Sequence, residues 1–462
     1  MKRHIFSFAI LISSALLIAN APSYQDTIEL EQIQYIAYQF TDLNGIVKEV
    51  LYPVDTVDDV VKNGFNFDGS SIPGMTAITE SDMLARPDMN TLTVLPWSDY
   101  EQKTARVLCD VYSDEHTPYD GDPRNILKKA MADTYAMGYD FYVGPELEFF
   151  ICNSNSFSEN GLTPCDTIGY FAPAVHPAMT DFKTILFNNL LAQDIIIEKI
   201  HHEVAHGQYE MSFKYDNALT IADRIIGAKQ TIRSLCALNS LQATFMPKPF
   251  QGQNGSGMHI HFSLWDRKNN CNAFHSADHP AKLSKTAQHF LAGVLAHITE
   301  LNALFNPTVN SYKRLVPGYE APINLCWGTK NRSAMIRIPR INDNQPKAVR
   351  AELRSGDPMA NPYLAFAALL RAGLDGIKNE LPLADPIEDC LYKLSNKQRK
   401  LRGIKALPSS LQNAVTLLSN SSFAKDILGD CMLTEFVKNK EQEIAAYNTF
   451  VTDWELQTYL EG

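Results

Sequence analysis

The chain of 462 residues is 45% hydrophobic and 20% charged, an ordinary globular composition with enough apolar material for two or more domains. Its net charge of -11 argues against a nucleic-acid-binding surface and against a basic membrane patch, so an anionic ligand needs a local arginine cluster. The eight cysteines are scattered with no Cys-x-x-Cys, which suits reduced, buried thiols better than a disulfide framework or a zinc site.

Met1-Lys-Arg-His precedes an apolar run over 5–19 and the small-x-small triplet Ala19-Asn20-Ala21, the layout of a secretory signal. Pro22 directly after it is a poor context for cleavage, so residues 1–25 read as a signal-like or anchoring extension. Over 26–118 the segments 35–40, 47–51, 91–95 and 105–111 alternate apolar and polar residues, with turns at Leu43-Asn44-Gly45 and Lys62-Asn63-Gly64. They predict a small, mostly antiparallel sheet domain. A stretch rich in Asp, Gly and Pro over 114–123 predicts the linker to a second domain over 119–462. A helix over 123–137, with Pro123 in its first turn, opens that domain. An amphipathic helix over 182–193 and a β-branched strand at 195–197 follow, and the chain ends helical. The pattern is mixed α and β, with no internal repeat.

Apolar residues 141–143 run into Gly144-Pro145-Glu146-Leu147-Glu148-Phe149-Phe150, which predicts a buried strand end. Alternation puts Glu146 and Glu148 on one face and Leu147 on the other. Two carboxylates side by side against an apolar wall repel each other unless a cation lies between them. A lone Glu-x-Glu is more often a solvated strand face, so the pair gains weight only from residues further along.

His202-Glu203-Val204-Ala205-His206 matches the zinc-protease pattern His-Glu-x-x-His, which needs a helix to aim both imidazoles at one metal. Strand-like residues precede it and Gly207 follows, so no helix of useful length is expected. With Glu203 at a strand end and Glu210 after a short connection, two more carboxylates can join Glu146 and Glu148; hard oxygen ligands suit magnesium or manganese. Gly255-Ser256-Gly257-Met258-His259-Ile260-His261 then puts His259 and His261 on one strand face, behind glycines that let backbone approach a ligand. Such a pair is as readily two hydrogen-bonded core residues as two ligands.

Positive charge concentrates further on, at Arg314, Arg332, Arg337, Lys347, Arg350 and Arg354. Most lie among apolar or turn residues, as in Ile336-Arg337-Ile338-Pro339, where arginine is seldom buried unpaired. Each alone could serve a structural ion pair; six together favour a clamp for phosphates and carboxylates. Carboxylates for two cations beside several arginines meet the needs of phosphoryl transfer, with no Walker loop in the chain. An ATP-using ligase or kinase follows.

The segments Asn66-Phe67-Asp68-Gly69-Ser70-Ser71-Ile72, Glu80-Ser81-Asp82-Met83, 144–150, His202-Glu203, Met246-Pro247-Lys248-Pro249, 254–259, 310–322, 331–339 and 352–364, in that order, closely resemble type I glutamine synthetase. The resemblance runs from Ile33 to Leu456 and favours the shorter, non-adenylylated subtype: only 22 residues separate Glu148 from Tyr170, too few for the long insertion of the adenylylated one. Tyr392 stands where that subtype carries its modified tyrosine, in different surroundings, so no covalent control is expected there.

The resemblance implies an α+β fold, with a small N-terminal β-grasp-like domain ahead of a large catalytic domain of antiparallel half-barrel sheet and helices. It implies ATP-dependent condensation of glutamate with ammonia through γ-glutamyl phosphate, in nitrogen assimilation. Carried onto matching positions, Glu148, Glu203 and Glu210 hold one Mg2+ or Mn2+ beside glutamate, and Glu146, His259 and Glu352 hold another beside the ATP phosphates. Arg314 and Arg354, with Asn254 and Gly255, bind glutamate. Arg332 and Arg337 steady the moving phosphoryl group, Arg337 from the nucleotide side. Glu198, His261, Ser263, Lys347 and Arg350 line the nucleotide site. Asp68 takes the proton of ammonium, in a pocket lined by Ser71, Tyr170, Glu203 and Glu320, with Glu320 on a closing flap. In the family Asp68 and Ser71 come from the neighbouring subunit of a dodecamer built from two stacked hexamers, and no nucleic acid is involved.

A γ-glutamyl-amine ligase of the same fold is the nearest alternative, but the segment from Asp68 to Ser71, which a bulky amine would displace, is intact. A non-catalytic ring-forming relative should have lost ligands that are all present here. Consumption of ATP points to the cytoplasm, against the signal-like layout of the N-terminus.

Overall fold

The computed structural model describes residues 23–76, 81–98, 102–153, 162–173, 177–316, 321–342 and 344–461. The apolar leader segment and Glu320 lie outside them. No described helix is long and apolar enough to cross a membrane.

The N-terminal unit is a five-stranded sheet of β1 (Tyr35–Thr41), β2 (Val47–Pro53), β3 (Phe65–Asp68), β4 (Asp82–Val94) and β5 (Thr104–Tyr112), in the order β2-β1-β5-β4-β3. Ile36, Tyr38 and Phe40 from β1 and Ala105 and Val107 from β5 form its core. The helix Val57–Asn63 closes it by burying Val57 and Val60. This is the expected β-grasp-like, mostly antiparallel arrangement, with one departure from the sequence reading. Only β1 and β5 pair in parallel, because the chain between them is long enough for a crossover. Residues 91–94 do not stand alone: they end β4, whose register against β5 shifts between Asp88 and Thr93.

The helix Pro123–Ala136 starts on Asp122, whose side chain accepts from the Arg124 N–H, with Pro123 at its first position, a favourable opening. Its Arg124 is the bolt between the two units. The guanidinium meets Asp110 of β5 at 2.7 Å, Asp88 of β4 at 2.9 Å and Asp223 of the helix Ala218–Leu238 at 2.9 Å. A buried arginine is tolerated only with such full pairing.

The second sheet has ten strands: β6 (Tyr139–Asn153), β7 (Ile197–His202), β8 (Gln208–Phe213), β9 (Asp216–Asn217), β10 (Leu241–Thr244), β11 (Met258–Asp266), β12 (Cys271–Asn272), β13 (Trp327–Thr329), β14 (Ile336–Ile338) and β15 (Ala351–Leu353). Its main path runs β13-β14-β15-β11-β6-β8-β7, antiparallel except between β13 and β14. Period-two alternation sorts its side chains. Phe141, Val143, Leu147, Phe149, Tyr209, Met211, Met258, Ile260 and Phe262 enter one core with the helices Ala218–Leu238, Lys285–His297 and Pro362–Lys378. Phe290 ties helix to sheet, its ring 5.4 Å from that of Phe262 and 6.2 Å from that of Phe141. The intervening residues of the same strands, Glu146, Glu148, Gln208, Glu210 and His259, line the opposite, curled face.

The helix foreseen at 182–193 begins earlier and spans Pro177–Leu191, and the strand foreseen at 195–197 begins only at Ile197. No cysteine forms a disulfide. Four are buried, but Cys271 and Cys390 are exposed, because one sits on the two-residue strand β12 and the other in a loop.

Candidate active site

Register between strands assembles the site, because residues directly opposite one another on antiparallel strands share a face. Along one row, Arg337 on β14 faces Glu352 on β15, which faces His261 on β11. Along the next, His259 on β11 faces Glu146 on β6. Along the third, Glu148 on β6 faces Glu210 on β8, which faces His201 on β7. Residues far apart in the chain thus meet on three adjacent rows. The His202-Glu203-Val204-Ala205-His206 segment forms no helix: β7 ends at His202 and a turn leads to Gly207, as expected.

Two cavities open on this face, each of about 390 Å³. The first is lined by Glu146, Glu148, Glu203, Glu210, His259, Tyr170, Asn254 and Gly255, with Arg314, Arg332, Arg337 and Arg354. The second is lined by Glu198, His261, Ser263, Lys347 and Arg350 beside Tyr142, Phe213 and Tyr215. Glu198, His261, Ser263, Lys347 and Arg350, expected together on a nucleotide side, share the second cavity, whereas Arg337 and His259 open into the first and Glu146 into both. Glu352 lines neither and is fully buried. Arg354 Nη1 donates to it at 2.6 Å, Arg337 Nε also donates to it, and His259 Nδ1 lies 3.6 Å away. Asp68 and Ser71 line neither cavity. They are at the surface of the N-terminal unit, where the Asp68 carboxylate accepts from Ser70 and Ser71 hydroxyls at 2.6 and 2.7 Å.

The electrostatics are those of a site built for cations. Among the described residues, three sets of donors converge with ligand atoms within 4.8 Å of one another: Glu146, Glu210 and His259; Glu146, His261 and Glu352; and His201, Glu203 and Glu210. Glu148 stands outside these sets, its Oε2 accepting from the Gly257 N–H at 2.9 Å and from Gln208 Nε2 at 3.1 Å. Burial, then repulsion from Glu210 and Glu203, pushes its pKa well above the ordinary carboxylate range, a penalty that a divalent cation among these acids removes. Glu352 goes the other way: burial raises it, but Arg354, His261 and His259 outweigh that and hold it at about 2. For Glu146 burial is likewise overcome, by hydrogen bonds from His259 and His261, and its pKa is lowered. Oxygen-rich donors with one or two imidazoles fit Mg2+ or Mn2+.

Arg314 is aimed by backbone. Its Nη1 donates to the Ser355 carbonyl at 2.9 Å and its Nη2 to the Arg354 carbonyl at 3.3 Å, leaving the rest of the five-donor fork for a ligand. Tyr170 stacks on Phe171 at 4.2 Å, and both rings meet His201 edge to face. Their segment is pinned by Asp166, which receives Gly207 N–H at 2.9 Å and Tyr209 Oη at 2.9 Å and meets His202 Nε2 at 2.9 Å. Three polar residues lining the first cavity have no counterpart among the sites foreseen: Lys199, His201 and Gln208. His201 and Lys199 share the strand face that ends in Glu203, a period-two signal present in the sequence. Gln208 carries no such signal, since a glutamine in an apolar strand looks unremarkable.

Acids and imidazoles spaced for cations, with guanidinium groups across the same cavity and a second cavity adjoining, define an enzyme that handles phosphate-bearing substrates on the concave side of an antiparallel sheet. Comparison with known proteins is specific. Residues 32–114 match the family model "Glutamine synthetase, beta-Grasp domain" and residues 120–459 match "Glutamine synthetase, catalytic domain". The glutamine synthetase of Methanocaldococcus jannaschii is 43% identical over 453 residues, covering 96% of this chain and 98% of its own. That of Thermotoga maritima is 43% identical over 433 residues, covering 94% and 98%. Among solved structures, an ADP complex of GmaS superimposes with a TM-score of 0.84 at 32% identity, over 94% of this chain and 99% of that one. The chain belongs to the glutamine synthetase family, an ATP-dependent family of enzymes that use divalent metal ions.

Proposed function

We propose that the chain condenses L-glutamate with ammonia at the expense of ATP, through γ-glutamyl phosphate, with the two adjoining cavities as glutamate and nucleotide sites. The observation that carries this reading is their junction: Glu146 lines both, so a nucleotide and an amino acid bound side by side meet over the carboxylate rows. Glu198, His261, Ser263, Lys347 and Arg350 bind the nucleotide, as a relative whose complex with ADP is solved also does. Arg314 and Arg354 bind glutamate with the backbone at Asn254 and Gly255. Glu148, Glu203 and Glu210, and Glu146, His259 and Glu352, would hold divalent cations, which when bound would neutralise phosphate and carboxylate oxygens.

In the first step a γ-carboxylate oxygen of glutamate bonds to the γ-phosphorus while the bond to the ADP oxygen breaks. Arg332 and Arg337 stabilise charge on the moving group. In the second, ammonia attacks the acyl phosphate and phosphate leaves. Ammonium must first lose a proton, and Asp68 is the base; Ser71, Tyr170 and Glu203 complete its pocket, and Glu320, outside the described residues, is assigned the same role.

Exposure of Asp68 and Ser71 away from both cavities supports the reading that a neighbouring copy lends them, in a dodecamer of two stacked hexamers. The chain divides at 118/119 into a unit that lends the base and a unit that holds the two cavities, after an extension over 1–25. Dependence on ATP places the enzyme in the cytoplasm. The deciding measurement is turnover with ammonium against putrescine and ethanolamine. Preference for ammonium is expected; preference for an organic amine overturns the choice of acceptor.

A further inference from the structure

Strand β7 breaks its own alternation just before the site. Its register against β8 shifts between Ile197 and Lys199, an irregularity of the kind that re-aims side chains beside active sites. Glu198 therefore reaches the nucleotide-side cavity, while Lys199, His201 and Glu203, two apart, open together into the glutamate-side cavity. Among the described residues only Glu146 and Lys199 line both cavities. One is an acid and the other a cation.

Lys199 Nζ lies 3.4 Å from Glu210 Oε1 and 3.9 Å from Glu146 Oε1, and 50% of the side chain remains exposed. These are loose contacts. An ammonium has three donors on a flexible stem, so Lys199 keeps donors for something arriving in the open space beside it. Divalent cations held by Glu146 and Glu210 would neutralise the charge that Lys199 balances and leave its donors for a group at the junction. A group shared between the two cavities would lie beside Glu146 and Lys199.

We propose that Lys199 is a further catalytic residue, which binds the phosphoryl group as it crosses between the cavities. The inference rests on the reading of those cavities as nucleotide and glutamate sites. During transfer the γ-phosphorus–oxygen bond to ADP breaks with its electron pair staying on ADP, and a bond forms from phosphorus to the glutamate carboxylate oxygen. Lys199 keeps its protons throughout and donates hydrogen bonds to the phosphoryl oxygens. Its partner is thus the γ-phosphate of a nucleoside triphosphate, then the same group as an acyl phosphate.

The difference between ATP and ADP isolates this contact, since only ATP carries the γ-phosphate. Calorimetric titration of both nucleotides with Mg2+ into the full-chain enzyme and into Lys199→Met and Lys199→Arg variants reads it directly. Lys199→Met should weaken ATP by roughly tenfold, the worth of one charge-assisted hydrogen bond, leave ADP within about twofold, and lower kcat; Lys199→Arg should restore most of both. Equal losses for ATP and ADP, or none for either, overturn the assignment. So does a Lys199→Met variant whose only change is tighter Mn2+ binding, which would make Lys199 a mere counter-ion to Glu146 and Glu210. The nucleotide titrations stand whether or not the wild type forms glutamine, so failure of the glutamine-forming reading remains distinguishable from failure of Lys199.

Discussion

Gln208 Nε2 donates to Glu148 Oε2 at 3.1 Å, and the same amide reaches the Gly255 carbonyl at 3.0 Å and the Ser256 hydroxyl at 3.3 Å. One fully buried side chain thus joins a carboxylate that has lost its solvent to the loop lining the first cavity. With the Gly257 N–H it fixes which oxygen of Glu148 stays free for a ligand.

Replacing Gln208 with Leu keeps the volume but leaves Glu148 half-held. Loss of a group that orients a metal ligand typically costs roughly tenfold to a hundredfold in metal affinity. Gln208→Leu should show that loss in a Mn2+ titration, with an unchanged circular dichroism spectrum. Wild-type Mn2+ affinity in the variant would mean that Glu148 needs no such support.

Glu148 itself sits where stability and function pull apart. Burial and the neighbouring Glu210 and Glu203 push its pKa up, so the ionised form is strained without a cation. Glu148→Gln removes one like charge and keeps the shape. Without divalent metal, the variant should melt at a higher temperature than wild type at neutral pH; with metal the order should reverse, and ATP-dependent glutamine formation should vanish while the assembly persists. Full activity would remove Glu148 from the metal site.

The sequence made the facing residues of each strand legible, because Glu146/Glu148 and His259/His261 follow the period of two that any strand imposes. What it could not convey is register: that His261 stands opposite Glu352 and Glu148 opposite Glu210 depends on pairing between strands far apart in the chain. Nor could strand period alone place Glu198, whose direction is set by a bulge in β7 that no local pattern announces. It also merged differently in the N-terminal unit, where a strand expected at 91–95 proved to be the end of β4.

Asp166 gives a pH signature outside the carboxylate rows. Burial raises its pKa, but hydrogen bonds from His202, the Gly207 N–H and Tyr209 outweigh that and hold it at about 2, against 3.8 unperturbed. A carboxyl with a depressed folded-state pKa stabilises the fold fully above its unfolded value, and that contribution fades as pH falls through the folded one. Here the window runs from about pH 4 to about pH 2, with at most about 2 kcal/mol at stake. Urea melts across that range should show wild type losing this increment while Asp166→Asn, already weaker at pH 7, loses correspondingly less. Parallel losses in both chains would remove Asp166 as their source.

Gly293 and Gly376 mark where two core helices touch. A Cβ on Gly376 would lie 2.1 Å from the His289 carbonyl oxygen and 2.7 Å from the Gly293 Cα, and backbone cannot yield as a side chain can. Gly376→Ala should therefore destabilise by about 1–3 kcal/mol through overpacking, even though alanine is the better helix former. A chemical melt reads it, and a neutral or stabilising result would show that the helices separate freely.

The sharpest test of a shared site mixes two inactive chains. Asp68 is exposed on the N-terminal unit and lines neither cavity, while Glu148 is buried in the catalytic sheet. If each site takes Asp68 from one subunit and Glu148 from the next, Asp68→Asn and Glu148→Gln homo-oligomers are both inactive. Co-assembled at equal ratio in a closed ring, they pair an intact Asp68 with an intact Glu148 at roughly a quarter of the sites. Glutamine formation should return to about that fraction of wild type, and only after co-expression or dissociation and reassembly, since simple mixing exchanges no subunits. Recovery of none after verified co-assembly would mean that both residues serve the same chain, and the base would have to be sought within the cavities themselves.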